Sequence, residues 1–338
     1  MARLTLLQFL QNVNKSIRNK NSKLLSNQLK CTDFHVFNPN LAVSKPEEHV
    51  MSLIPAPWDE VTSAHIRCIW ALQQKDYDEA YACQIIVVKT YTLTSNPYSR
   101  ALSRILPETK DNWLLPIVHV AAVDIRKLAH GLDSAVEDSK DAYGNRMENT
   151  AQLIMRLFQL CAIDGKSDLE NSKKRGMMCL ANQLFKIYFQ INKLNLCKSL
   201  IRAIDNVGME DYFSIAQRVT YRYYVGRKAM FDGDFTAAND SLSFAFEHCP
   251  AKNTHNKRLI LIYLIPARML LGIMPHNNLL LKYNLCEFLG IVEATKAGDY
   301  RRLTEELNNN ESFFINCGIY LILEKLKSIT YRNLFKRM

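Results

Sequence analysis

The chain has 338 residues, 48% of them apolar, enough to bury a large core in one elongated array or in two compact units. With only 11 glycines it is poorly suited to turn-dense all-β folds or glycine-rich phosphate loops, and stretches rich in Leu, Ile, Ala, Lys and Gln between sparse prolines predict an all-α fold. A formal net charge of +10 attracts RNA, acidic protein segments or anionic membrane without choosing among them, while 9 cysteines in apolar settings read as buried free thiols of a reducing compartment.

In chain order, Leu6, Leu10, Val13 and Ile17 fall on one face of a first helix. The opposite face is basic: Arg3, Lys15, Arg18, Lys20, Lys23 and Lys30 occur with no acidic residue before position 31. The apolar run Leu4 to Leu10 is interrupted by Thr5 and Gln8 and lacks a small-residue cleavage site, which argues against a secretory signal. A second short helix is expected after Asn21 and Ser22, up to about Leu29. Phe34, Phe37, Pro39, Pro46, Pro55 and Pro57 then predict an irregular connection, closing a first region of residues 1–59.

From Val61 onward helical patterns dominate, and one turn motif recurs: Lys75-Asp76-Tyr77 with Ala80, Gly233-Asp234-Phe235 with Ala237 and Ala238, and Gly298-Asp299-Tyr300 with Leu303. A small or polar residue ends one helix, Asp caps the next, the aromatic residue wedges between the pair, and the residue beyond lets the backbones approach. Asn192-Lys193-Leu194 is a degenerate copy without the Asp. This spacing predicts a right-handed helical-repeat solenoid of the tetratricopeptide kind, with an array over 60–210 and a further helical region over 211–328. Residues 132 to 149 form an acidic stretch expected to be a loop on the outer face or a solvated connection, and Asp164 to Arg175 is a second polar break.

Between Tyr212 and Phe231, tyrosines alternate with basic residues. Tyr221, Tyr223 and Tyr224 spread around a helix axis, so some should reach a second surface. Arg218, Tyr221, Arg222, Tyr224, Arg227 and Lys228 are therefore candidates for meeting an acidic peptide, unless the helix is sandwiched with its basic heads snorkelling outward. Near the end, Phe313 and Phe314 through Leu326 predict a nearly all-round apolar helix. A further helix, capped by Thr330, is expected over 329–338, with Tyr331, Leu334 and Phe335 apolar. Phe313, Phe314, Tyr331, Leu334 and Phe335 are candidate partner contacts, and Lys325, Lys327, Arg332, Lys336 and Arg337 are candidate nucleic-acid contacts.

No catalytic set emerges. The phosphate-loop, dinucleotide, HExxH and GxSxG patterns are all missing. Tyr224 and Lys228 stand at a Tyr-x-x-x-Lys spacing with no glycine-rich loop before them, which makes coincidence the better reading. Cys31 with His35, and His248 with Cys249 and His255, lack the C-x-x-C pair that would complete a tetrahedral site. No metal or cofactor is expected. The longest apolar run, Leu259 to Ile265, is far shorter than the roughly 20 residues of a membrane span.

The stretch Arg258 to Gly272 resembles the helix leading into a PCI domain, the module shared by proteasome-lid, COP-nine signalosome and initiation-factor scaffolds. Ser312 to Leu326, followed by Tyr331-Arg332-Asn333-Leu334-Phe335, is similar to the PCI subunits of the TREX-two transcription-and-export complex. The resemblance implies a helical array ending in a winged helix that pairs with a GANP-type PCI scaffold and holds a small acidic DSS-type subunit. It further implies a basic surface for RNA, contact with an mRNA export receptor, and residence at nuclear pores as well as in the cytoplasm. The sequence stops where that winged helix should begin, so the winged-helix part is expected to be largely missing. The alternatives are a signalosome- or proteasome-lid-like scaffold subunit and an autonomous RNA-binding protein.

Overall fold

All regular structure among the described residues is helical, and the chain divides into two units, Met1–Phe213 and Ser214–Met338. The computed structural model describes residues 4–92, 105–108, 111–135, 145–166, 168, 170–208 and 210–336. Of the acidic stretch 132–149, residues 132–135 finish one helix and 145–149 begin the next, and the other half, 136–144, lies outside the described residues.

In the first unit, α1 (Leu6–Arg18) begins at a reciprocal cap, in which the Thr5 hydroxyl accepts the Gln8 amide and the Gln8 side chain accepts the Thr5 amide. Of the face read from the sequence, Leu10 and Val13 are buried and Leu6 and Ile17 half-buried, and Phe9 and Ser16, which that reading left out, are buried beside them. α2 (Ser22–Gln28) follows, capped by Asn21. The stretch expected to be irregular contains two short 3-10 turns, Phe34–Phe37 and Pro39–Leu41, and one helix, α3 (Glu47–Met51). Gln73 Nε2 anchors the turns by donating to the carbonyls of Val36 (2.7 Å) and Asn38 (3.1 Å).

α4 (Trp58–Gln73) and α5 (Tyr77–Thr92) pair through Cys68, Ala71, Ala80 and Cys83, whose small side chains let the two backbones come close. α6 (Ile105–Glu108), α7 (Leu115–Ala135), α8 (Asn145–Ala162), α9 (Met177–Gln190) and α10 (Cys197–Val207) complete the unit. α9 is buried on nearly every side, as its apolar sequence requires.

The second unit opens with α11 (Ile215–Asp232), α12 (Phe235–His248) and α13 (Thr254–Leu270). Gly226 lets α11 and α12 meet, since a Cβ there would lie 2.6 Å from Leu242 Cγ. α13 carries a continuous buried run from Ile260 to Ala267, and the core around it includes Leu280, Phe288, Ile291, Leu303 and Phe314. α14 (Asn277–Lys282), α15 (Leu289–Ala297), α16 (Tyr300–Asn309), α17 (Glu311–Asn316), α18 (Tyr320–Glu324) and α19 (Leu326–Phe335) finish the chain.

The recurrent turn is built as the sequence implies. Lys75, Gly233 and Gly298 all adopt positive φ, and Asp76, Asp234 and Asp299 accept the amides of Glu79 (3.0 Å), Ala237 (3.0 Å) and Arg302 (2.9 Å). Ala80, Ala238 and Leu303 are buried behind them. The copy lacking Asp also turns at positive φ, at Asn192, but without a capping carboxylate the chain passes through a 3-10 turn, Leu194–Leu196, before α10. The aromatic wedge is not uniform: Phe235 packs on the core, whereas Tyr77 is 51% exposed.

Two expectations near the C-terminus need correction. Residues 313–326 are not one helix, because Gly318 adopts φ 71 and stops α17, with the Ile319 amide donating back to Phe314 (2.9 Å). Thr330 caps nothing. It is buried within α19 and its hydroxyl donates to the Leu326 carbonyl (3.0 Å), so the last helix starts at Leu326.

Candidate interaction surfaces

The basic and aromatic residues of α11 separate into two groups. Arg218 and Arg222 both lie over the ring of Phe244 on α12, at 5.3 and 5.4 Å from its centroid, with His248 stacked against the same ring. Arg227 turns inward over Tyr263 of α13 at 4.2 Å and donates to the Tyr223 hydroxyl (3.3 Å). Burial pushes the hydroxyls of Tyr223 and Tyr263 above their ordinary range, so both stay protonated beside that cation. Tyr221 and Lys228 are buried, and Lys228 is ion-paired to Asp232 one turn along. Neither offers the outward face expected of it, because α11 turns these two positions inward. Arg218, Arg222 and Tyr224 remain half-buried.

Phe314 is fully buried and packs edge-on against Phe288 at 5.3 Å, so it belongs to the core rather than to a partner surface. Phe313 is half-buried against the same cluster, with Arg258 over its ring at 5.7 Å.

α19 is different. Its inner side is fixed by Leu326 and Thr330, and by Asn333, whose side-chain amide donates to the Thr295 carbonyl on α15 (2.8 Å). The backbone of Leu334 passes so close to the turn after α15 that a Cβ on Gly298 would sit 2.6 Å from its nitrogen. Gly298 is thus required twice, for its positive φ and for this approach. Tyr331 stacks on Tyr300 at 5.0 Å and 16°, in contact with its own unit, while Leu334 is exposed and Phe335 is 71% exposed. Arg332 and Lys336 are exposed on the same helix.

Lys325 lies over Phe235, and Lys327 is paired to Glu324 at 2.9 Å, leaving Lys325, Arg332 and Lys336 as the exposed cations of this segment. Arg337 lies outside the described residues. Phe335, Arg332 and Lys336 are the apolar and basic groups this seated helix turns outward, a combination suited to docking, while Leu334 lies at the edge of the seat.

Among the described residues, Cys31 and His35 each meet one partner of the same kind and do not converge on a site. Cys31 Sγ sits 3.7 Å from Cys68 Sγ, and His35 Nε2 lies 3.1 Å from His65 Nε2. Among the described residues no group of three or more His, Cys, Asp or Glu is placed to hold a metal. Sequence reading missed these two cross-pairings because His65 and Cys68, one turn apart on α4, carry no signal of what faces them.

Burial drives the His65 imidazole down to about 3 and pushes the Cys83, Cys161 and Cys179 thiols up to about 12, so at neutral pH the histidine is neutral and the thiols are not nucleophilic thiolates. Among the described residues no helix is long and apolar enough to cross a membrane.

No family model matches the sequence. It is 45% identical over 339 aligned residues to PCI domain-containing protein 2 of Danio rerio, covering 100% of this chain and 82% of that protein. The PCI domain-containing protein 2 homolog of Drosophila melanogaster is 42% identical, with 99% and 82% covered. Enhanced ethylene response protein 5 of Arabidopsis thaliana is 35% identical over 254 residues, or 75% of this chain and 60% of that one.

Proposed function

The chain belongs to the PCI domain-containing protein 2 family, and from that premise we propose that it is a non-catalytic scaffold subunit of a nuclear mRNA export complex. In this reading it joins a GANP-type PCI scaffold, holds a small acidic DSS-type subunit and helps bring RNA and its export receptor to nuclear pores, with a cytoplasmic pool. The observation that carries the reading is the outer face of α19. Phe335 stands out beside Arg332 and Lys336, with Leu334 partly exposed at the edge of the seat, on a helix whose inner side is locked to the Gly298 turn. A rigid apolar anchor with a basic rim binds a partner at a low ordering cost.

Arg218 and Arg222, spread over Phe244, suit the acidic subunit; Lys325, Arg332 and Lys336 suit RNA phosphates. Affinity purification from nuclei tests the reading. The tagged protein should recover a GANP-type scaffold and a DSS-type subunit, and L334A/F335A should lose the scaffold without changing protease protection of α4 to α9. Reproducible recovery of signalosome or proteasome-lid subunits in their place would reject it. If RNA contact rests on those three cations, affinity should fall steeply with salt, and charge reversal of all three should flatten the slope.

A further inference from the structure

The first unit contains a groove that the proposed function does not use. α3, the bend at Ala56 and Pro57, and the first turns of α4 face the middle of α5 across a hollow of about 310 Å³. Its floor is Ser63 and Ala64, both buried and both too small to fill the space between the elements. Its walls include two exposed apolar side chains, Met51 at 67% and Ile86 at 39%. An apolar hollow open to water is a place where burial by another chain is favourable.

Charge selects the occupant. Glu47, Asp59 and Glu60 line the groove, and none of the three forms an ion pair among the described residues. The lining holds one cation, Arg67, and it is tied to Glu79 at 2.7 Å. Burial, with Asp59 adjacent, raises the Glu60 carboxyl above its ordinary range, as expected where negative charge is crowded and partly dry. With a net charge of +10, the chain as a whole repels cationic segments, so this groove stands out as a local exception. A metal ion is poorly matched, because no three ligands converge among the described residues.

We propose that this groove docks a short basic and aliphatic segment of a partner protein, its Lys or Arg side chains meeting Glu47, Asp59 and Glu60 while an aliphatic side chain enters between Met51 and Ile86. The groove belongs to the first unit and α19 to the second.

Fluorescence anisotropy at physiological salt can test this with three labelled peptides of equal length: a Lys-Leu repeat, a Lys-Gly repeat and a Glu-Leu repeat. The Lys-Leu peptide should bind and the Glu-Leu peptide should not. The triple change Glu47→Gln, Asp59→Asn and Glu60→Gln should weaken binding by about tenfold or more. M51A/I86A, which alters exposed side chains and leaves the fold intact, should weaken it about fivefold. Neutralising Glu305 and Glu311, exposed acids of the second unit, should change nothing. Any of these results would overturn the proposal: no Lys-Leu binding, comparable binding of the Glu-Leu peptide, equal binding of the Lys-Gly peptide, or wild-type affinity in M51A/I86A or in a folded triple variant. Should the triple variant fail to fold, M51A/I86A and the Lys-Gly comparison still decide.

Discussion

The turns after α4 and after α15 are made of the same parts, yet they do different jobs. Each places its first residue at positive φ, 61° at Lys75 and 74° at Gly298, and each sets an Asp on the third amide of the following helix. Lys75 is exposed, and its turn only joins two helices. Gly298 lies under the backbone of Leu334, so its turn is also the seat of α19. A local motif therefore specifies how a helix pair closes, while the packing around it decides whether a glycine is optional or required.

Gly298→Ala should have the largest effect, and on the second turn alone. The added Cβ meets a positive φ and, at 2.6 Å, a backbone nitrogen that cannot rotate away. Strain and overpacking together should cost about 3 kcal/mol. Hydrogen exchange should show α19 losing protection while α4 and α5 keep theirs. Wild-type protection of α19 would mean that the helix is not seated on this turn.

Acid should separate the two units next. Burial holds the His65 imidazole at about 3, below the usual value near 6.5, and His35 is shifted the same way by the same cause. Both are neutral in the folded first unit and would charge on unfolding. Stability is then fully present above about pH 6.5 and is lost as pH falls toward 3, by about 2 kcal/mol at pH 5 for His65 alone. All 3 tryptophans, Trp58, Trp70 and Trp113, lie in the first unit, so their fluorescence reports its unfolding selectively. The urea midpoint read this way should drop between pH 7 and 5, and H65L should remove most of that drop. A flat pH response would show that the pair is solvated.

The capped turns, the Leu10 and Val13 centre of the α1 stripe and the all-α class were legible, because each depends on residues within about five positions of one another. The resemblance carried by Arg258 to Gly272 and Ser312 to Phe335 likewise pointed to the family that the relatives establish. The break at Gly318 was not legible: the apolar residues on either side hid it, although glycine is the usual helix stop. The inward turn of Tyr221 and Lys228 depends on how α11 rotates against its neighbours, which periodicity cannot supply where every face carries a large side chain. The acidic groove draws Glu47 and Met51, then Asp59, Glu60 and Ala64, then Ile86 from three separate segments, so only the folded chain brings it into view.

A smaller effect is expected from the part that the two turns share. Asp76→Ala and Asp299→Ala each remove a side-chain acceptor from an exposed helix start, and each should cost about 1 kcal/mol. The two losses should agree within error by urea unfolding, with tryptophan fluorescence for the first and hydrogen exchange of α16 for the second. A clearly larger loss at Asp299 would mean that its carboxylate also supports the seat of α19, and the motif would no longer be equivalent in the two places.

The smallest effect is Lys75→Gly, and it asks whether the first turn has any need that its present residue fails to meet. Replacing Lys relieves a left-handed backbone conformation that costs a non-glycine residue about 1 kcal/mol. The same change gives the unfolded chain more freedom, which costs about 0.4 to 1 kcal/mol. The two terms nearly cancel, so stability measured by tryptophan fluorescence should stay within about 0.5 kcal/mol of wild type. Substituting in the other direction, Gly298→Lys, meets the same backbone geometry plus the Leu334 clash, and should cost at least as much as Gly298→Ala. If the exchange proved equally mild at both positions, φ alone would govern these turns and the close passage of α19 would carry no energetic weight.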